Sequence, residues 1–298
     1  MTSIKATPSP PLLEEDPISE RTMTMRVFLV PLVADEHDVV ALESAAGLAA
    51  AAGGAVEGLF VRPDPVEVLS TLVEGASAQT IRSLTRATAE GLDERSGKVR
   101  GALARAADNA GLGDDRARLN ETTGDFQTTV AAFGRIADAT VLVGGTTGDV
   151  RRMAFEAALF HSARPVLLLD GGPLTTPPDR LAVAWNGSPE AARAVQAALP
   201  WLSRAREVHL LGVGSPRLMP EGLPALVRHL AGHGIDTTSH ELRTDGSIGS
   251  ALLGKAKDLD AGCLVMGGYG RSRMQEMIFG GATRYILAHP DLPLLLAH

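Results

Sequence analysis

The sequence predicts an α/β protein built from two tandem, doubly wound, parallel five-stranded sheets. Two observations lead there. From Met25 onward, short runs of branched aliphatic residues alternate with Ala- and Leu-rich stretches of helical length, and strands separated by helices pair in parallel. The order of elements also restarts midway. Asp138-Ala-Thr-Val-Leu-Val-Gly-Gly145 matches Asp260-Ala-Gly-Cys-Leu-Val-Met-Gly-Gly268 with one extra residue, and a helical stretch then leads to Pro165-Val-Leu-Leu-Leu169 or Pro293-Leu-Leu-Leu296. A chain of 298 residues is about two domains long.

Residues 1–23 carry four prolines and the acidic triplet Glu14-Glu15-Asp16 without apolar periodicity, so a disordered tail is expected. The first domain is placed at 24–170. Its first strand is Arg26 to Val33, followed by a helix from Val39 to Ala52 that Gly53-Gly54 closes. Ala55 to Val61 is the second strand, and Val66 to about Ala110 is mostly helical. A weak strand at Arg116 to Asn120 precedes a helix from Phe126 to Ala137. Ala139 to Val143 is the fourth strand, and a short helix leads to the fifth, Arg164 to Leu169.

Residues 171–179 are rich in Gly and Pro and read as a linker. The second domain, 180–298, opens with the strand Leu181 to Trp185. The helix Ser188 to Ser203 has Ser188 as its N-cap and Pro189 in its first position. Strands are expected at Val208 to Val213, Asp236 to Leu242, Gly262 to Met266 and Leu292 to Leu296. Helices are expected at Glu221 to Ala231, Ser247 to Leu259, and up to His289.

Composition narrows the functions. A net charge of −7 argues against a nucleic-acid partner recruited through a basic face. One cysteine, Cys263, excludes an internal disulfide framework and a cysteine-rich zinc site. The longest uncharged apolar run, Ser44 to Val56, is shorter than the ~20 residues of a spanning helix. No apolar leader precedes a cleavage site. A cytoplasmic protein without membrane contact is expected.

In open parallel sheets, ligands sit beyond the strand C-termini where the strand order reverses. After the fourth strand of the second half stands Gly267-Gly-Tyr-Gly270, then nine residues, then Gly280-Gly-Ala-Thr283. Such glycines let backbone N–H groups curl around an anion, and Thr283 adds a hydroxyl. Two such clusters suit a polyphosphate; the same spacing also serves plain strand-to-helix turns. These residues resemble the signature of nucleotide-binding members of the universal stress protein A family: Gly, two residues, Gly, nine residues, then Gly and a hydroxyl residue. Here Gly281 stands where the hydroxyl is usual, and Asn186, in Val183-Ala-Trp-Asn-Gly-Ser188, stands where the family has Asp.

The resemblance covers both halves and implies a tandem universal stress protein of Rossmann-like, adenine nucleotide alpha hydrolase-like fold. It implies ATP or a related adenine nucleotide as ligand, with or without Mg2+, and a stress-response role. Ala184, Trp185 and Asn186 would line adenine and ribose, and Val213 would pack on the base. Met266, Gly267 and Gly270 would wrap ribose and phosphates, and Gly280, Gly281, Ala282 and Thr283 would cradle the phosphates. In the first half Gly145-Thr-Thr-Gly148 imitates the first glycine pair, but Ala158, Leu159 and His161 stand at the places of the second cluster, so this copy is read as structural. The family's last strands pair across a two-fold axis, which implies an intramolecular pseudo-dimer of the halves and leaves a homodimer open.

Other motifs are weaker. Gly249-Ser-Ala-Leu-Leu-Gly-Lys-Ala256 has P-loop spacing but ends in Ala and lies in a helical pattern. His229 and His233 are four apart on a helix without an acidic third ligand. Cys263, inside a strand, reads as a buried small hydrophobe. Arg271, Arg273 and Arg284 near the glycine loop serve equally as phosphate contacts or surface charges. No catalytic residue and no metal ligand is assigned. The alternatives are a nucleotide-free interaction or regulatory module and a slow ATP-hydrolysing enzyme.

Overall fold

The structure, a computed structural model, describes residues 25–63, 78–144, 149–213, 222–243, 247–268, 285–287 and 291–298. The N-terminal tail lies outside the described residues. So do Gly145 to Gly148, Gly270, Arg271, Arg273, Arg284, and Gly280, Gly281, Ala282 and Thr283.

The α/β alternation expected from the sequence is present. The first half runs β1 (Val27–Leu32), α1 (His37–Ala52), β2 (Ala55–Arg62), α2 (Ala78–Ala110), β3 (Ala117–Thr123), α3 (Phe126–Arg135), β4 (Ala139–Val143), α4 (Asp149–His161) and β5 (Val166–Leu169). The second runs β6 (Arg180–Trp185), α5 (Pro189–Leu202), β7 (Glu207–Val213), α6 (Gly222–Ala231), β8 (Thr238–Leu242), α7 (Ile248–Asp258), β9 (Cys263–Gly267) and β10 (Leu294–Ala297). Of the helical stretch expected before β10, Tyr285 to Leu287 is described and helical.

Several ends differ from the sequence reading. Helix α3 stops at Arg135, because the N–H groups of Ile136 and Ala137 turn back to Phe133 and Gly134 at 3.2 and 3.3 Å, a tightened last turn. Strand β3 runs on to Thr123 although Asn120-Glu-Thr-Thr123 has no apolar pattern. Its residues pair with β2 from Val56↔Ala117 to Arg62↔Thr123, and a sheet edge needs only one buried side.

All the described strands form one ten-stranded sheet in the order β3-β2-β1-β4-β5-β10-β9-β6-β7-β8. Each half contributes the same five-strand order, and the strands within each half are parallel. The halves meet at β5 and β10, which pair antiparallel with Leu294↔Leu168, Leu295↔Leu167 and Leu296↔Val166. Both all-aliphatic strands are buried, whereas the outer edges, β3 and β8, are polar and partly exposed, as unpaired edges tend to be.

Two cores lie on the two faces of this sheet. One gathers α1, α2, α5 and α6 around Phe28, Val30, Val183, Leu210 and Val265. The other gathers α3, α4 and α7 around Leu29, Leu59, Ala182, Leu211 and Met266. Each core draws strands from both halves, so packing is organised by sheet face rather than by repeat. Among the described residues no helix is long and apolar enough to cross a membrane.

Candidate functional site

In the second half the strand order reverses between β6 and β9, and their C-terminal ends carry most of the described site residues. The register Val183↔Val265 sets Ala184 beside Met266, and Trp185↔Gly212 sets β7 on the other side of β6. Ala184 and Met266 are buried in the α3–α4–α7 core. Trp185 is half-buried against the opposite core. Val213 ends β7. The sequence-predicted residues Ala184, Trp185, Asn186, Val213, Met266 and Gly267 thus stand at or just beyond the C-terminal ends of the adjacent strands β9, β6 and β7, with Ala184 and Met266 on one face of the sheet and Trp185 on the other; the remaining five, Gly270 and Gly280 to Thr283, lie outside the described residues.

The loop leaving β6 is a locally determined turn. Asn186 Oδ1 accepts from the Ser188 N–H at 3.0 Å, Gly187 sits at φ 75°, a left-handed conformation suited to glycine, and Ser188 Oγ accepts from the Ala191 N–H at 3.2 Å. Ser188 is therefore the N-cap and Pro189 the first helical residue, as expected. The first turn of α5 lands directly on the end of β9. A Cβ on Gly267 would stand 2.5 Å from the Ala191 nitrogen and 2.7 Å from the Glu190 carbonyl carbon. No side chain fits there.

That contact brings in Glu190, which the sequence reading missed. Its Oε1 accepts from Arg193 Nη2 at 3.1 Å, with the side chain 13% exposed. Its Oε2 is buried and has no hydrogen-bond partner. An acid in a helix's first turn is ordinary in sequence terms, and only the close packing on Gly267 reveals that this one turns inward. The exit of β9 is also tied down: the Gly268 N–H donates to the Ala297 carbonyl at 2.8 Å, and His298 Nδ1 meets the Gly268 carbonyl at 3.0 Å.

The corresponding crevice of the first half is filled by its own side chains. Asp38, the second residue of α1, accepts from the N–H groups of Val33 and Ala34 at 3.0 and 2.7 Å. Arg151, from the first turn of α4, donates Nε to Asp35 Oδ2 at 2.9 Å, and Nη2 to Asp35 Oδ1 and to Asp38 Oδ1, the latter at 3.1 Å. Both Asp38 and Arg151 are buried. Burial pushes the Asp38 carboxyl up to about 6 against the pull of the backbone N–H groups and Arg151. For Asp35, burial pushes the same way but is outweighed by the hydrogen bond and charge of Arg151, so its carboxyl lies below the usual range. Ala158 and Leu159 are core residues of α4, and His161 ends that helix.

The weaker motifs resolve as structure. Gly249 to Ala256 lies within α7, not between a strand and a helix. His229 and His233 meet edge to face at 5.0 Å. Among the described residues no group of three or more His, Cys, Asp or Glu is placed to hold a metal ion. Cys263 is fully buried, and burial pushes its thiol up to about 12, which makes it inert at neutral pH.

No protein-family model and no curated protein matches the chain. Solved structures do. A universal stress protein from Archaeoglobus fulgidus DSM 4304 is similar over 92% of this chain and 96% of its own, with a TM-score of 0.69 and 18% identity. A functionally unknown protein from Pseudomonas aeruginosa PAO1 is similar over 92% of each chain, with a TM-score of 0.51 and 15% identity. Over nearly its whole length, the chain has the fold of a universal stress protein.

Proposed function

We propose that this chain is a cytoplasmic universal stress protein that works by binding one molecule of ATP, or a related adenine nucleotide, in its second half. The two repeats at 24–170 and 180–298, joined by the 171–179 linker, act as an internal pair in which β5 and β10 take the place of a subunit interface. Ala184, Trp185 and Asn186 line adenine and ribose, with Val213 against the base. Met266, Gly267 and Gly270 follow the ribose and first phosphate, and Gly280, Gly281, Ala282 and Thr283 cradle the phosphates.

The observation that carries this reading is the place of Gly267. It opens the spaced glycine motif, it ends β9 at the reversal of strand order, and the α5 first turn lies so close that only glycine fits. The contrast between the halves supports one site rather than two. In the first half, Arg151 and two carboxylates occupy the matching crevice, and carboxylates repel phosphate.

Isothermal titration with ATP tests the proposal. The wild-type chain should bind one equivalent. Gly280→Val should weaken binding at least tenfold, or about 1.4 kcal/mol, with the fold intact by circular dichroism. Thr283→Ala should cost on the order of 1 kcal/mol for one lost hydrogen bond. Two equivalents per chain, or no heat from wild type at millimolar ATP, would overturn it.

A further inference from the structure

Two carboxylates occupy the same place in the two halves, and only one of them is fully answered. Asp38 is the second residue of α1 and Glu190 the second residue of α5. Each helix follows the strand that borders the crevice. In the first half, two backbone N–H groups and the Arg151 guanidinium satisfy Asp38. In the second half, Arg193 takes one oxygen of Glu190 and the other, Oε2, is buried with no partner. Buried polar atoms are almost always paired, and a persistent exception asks for an explanation such as a missing ligand atom.

The chemistry of the missing partner is constrained. A carboxylate oxygen accepts hydrogen bonds and cannot donate them. Phosphate oxygens and the ring nitrogens of adenine are acceptors too, so none of them completes it. A nucleotide's donors are the hydroxyls of its sugar and the exocyclic amine of its base. The strand order β9-β6-β7 separates these. Glu190 abuts the last residue of β9, whereas Val213, assigned to the base, ends β7, two strand spacings or roughly 9–10 Å away. The sugar end is the end that reaches Glu190.

We infer that Glu190 is the acceptor for the ribose hydroxyls of the bound nucleotide, which makes the site selective for ribonucleotides. This rests on the reading of the second half as a nucleotide site. It also assigns a task that Asn186 performs poorly. The Asn186 side-chain oxygen already receives the Ser188 N–H, and it carries no charge. In the first half, the donors of Arg151 play the part that the sugar hydroxyls play in the second.

The test is titration of the full chain with ATP, 2′-deoxy-ATP and 3′-deoxy-ATP, each with and without Mg2+, for wild type, Glu190→Gln and Glu190→Ala. Wild type should prefer ATP to at least one deoxy analogue by about tenfold, the size of one charge-assisted hydrogen bond. Glu190→Ala should bind all three within about twofold of one another, and Glu190→Gln, which keeps an acceptor, should lie between. Unliganded Glu190→Gln should keep the wild-type fold by circular dichroism, since its amide oxygen can still accept from Arg193. If ATP binds but the preference survives in Glu190→Ala, the inference fails while the nucleotide reading stands. If the variants weaken all three nucleotides equally and only with Mg2+, Glu190 is a cation ligand and the sugar assignment is overturned. If wild type binds none of the three, the nucleotide reading itself fails, and this inference with it.

Discussion

Asp38 and Glu190 illustrate how much a single carboxylate owes to its neighbours. Both follow a helix N-cap position, where the dipole favours negative charge. Burial nevertheless raises the Asp38 carboxyl to about 6, so the folded chain holds that proton more tightly than the unfolded chain does. A carboxyl raised in this way makes the fold less stable as the pH rises between the unfolded and folded values, from about 4 to about 6. Other carboxylates, among them Asp35 and Asp125, are shifted down and act in the opposite sense, so the effect must be read as a difference. The melting temperature of wild type minus that of Asp38→Asn should fall by at least about 2 °C between pH 4 and pH 7, given roughly 2–4 °C per kcal/mol for a chain of this order. A flat difference would show that Asp38 titrates normally. Nothing in the neighbourhood Ala34-Asp-Glu-His-Asp38 announces this, because the burial that raises the carboxyl is created by tertiary packing, and Arg151, which opposes the rise, arrives from far along the chain.

At the next level, α5 and β3 mark the two extremes of what local sequence can say. Ser188, Pro189 and the Ala-rich face that follows specify the start of α5 by themselves: the hydroxyl accepts from Ala191 N–H and proline needs no donor. Ser188→Ala should therefore destabilise the protein by about 1 kcal/mol, measured by urea denaturation. A change below about 0.3 kcal/mol would mean that Gly267 packing alone positions the helix. Strand β3 lacks any such local signature. Its continuation through Glu121 to Thr123 comes from pairing with β2 and from the Arg62–Glu121 ion pair at 3.1 Å, both partners distant in sequence.

For the whole molecule, the shared sheet and the two face-wide cores predict cooperative unfolding even though the sequence reads as two repeats. Both tryptophans, Trp185 and Trp201, belong to the second half, and Trp201 also lines a cavity with Met25, Phe28 and Leu48 of the first, so their fluorescence reports the second half and its contact with the first, while far-UV circular dichroism reports both halves throughout. The two denaturation curves should superimpose, as two-state behaviour requires. Separate midpoints would show that the β5–β10 junction does not couple the halves. That junction is also where apolar content decides the outcome: Val166 to Leu169 and Leu294 to Leu296 are buried on both sides, and neither strand could end a sheet in water without exposing its aliphatic side chains.

The alternation of elements, the internal repeat, the N-cap of α5 and the position of Ala184, Trp185, Asn186 and Gly267 at neighbouring strand ends were legible in the linear chain. Each depends on near-neighbour preference, or on the rule that parallel strands place their loops at one end of a sheet. The union of the two halves through their last strands was implied by the family resemblance rather than by the local pattern. Two things were not legible at all: the Arg151 guanidinium beside the carboxylates of the first half and the unpaired oxygen of Glu190 in the second both depend on groups brought together by the fold. A charged side chain's role is set by which partners desolvate or neutralise it, and only the folded chain brings those partners within a few ångströms.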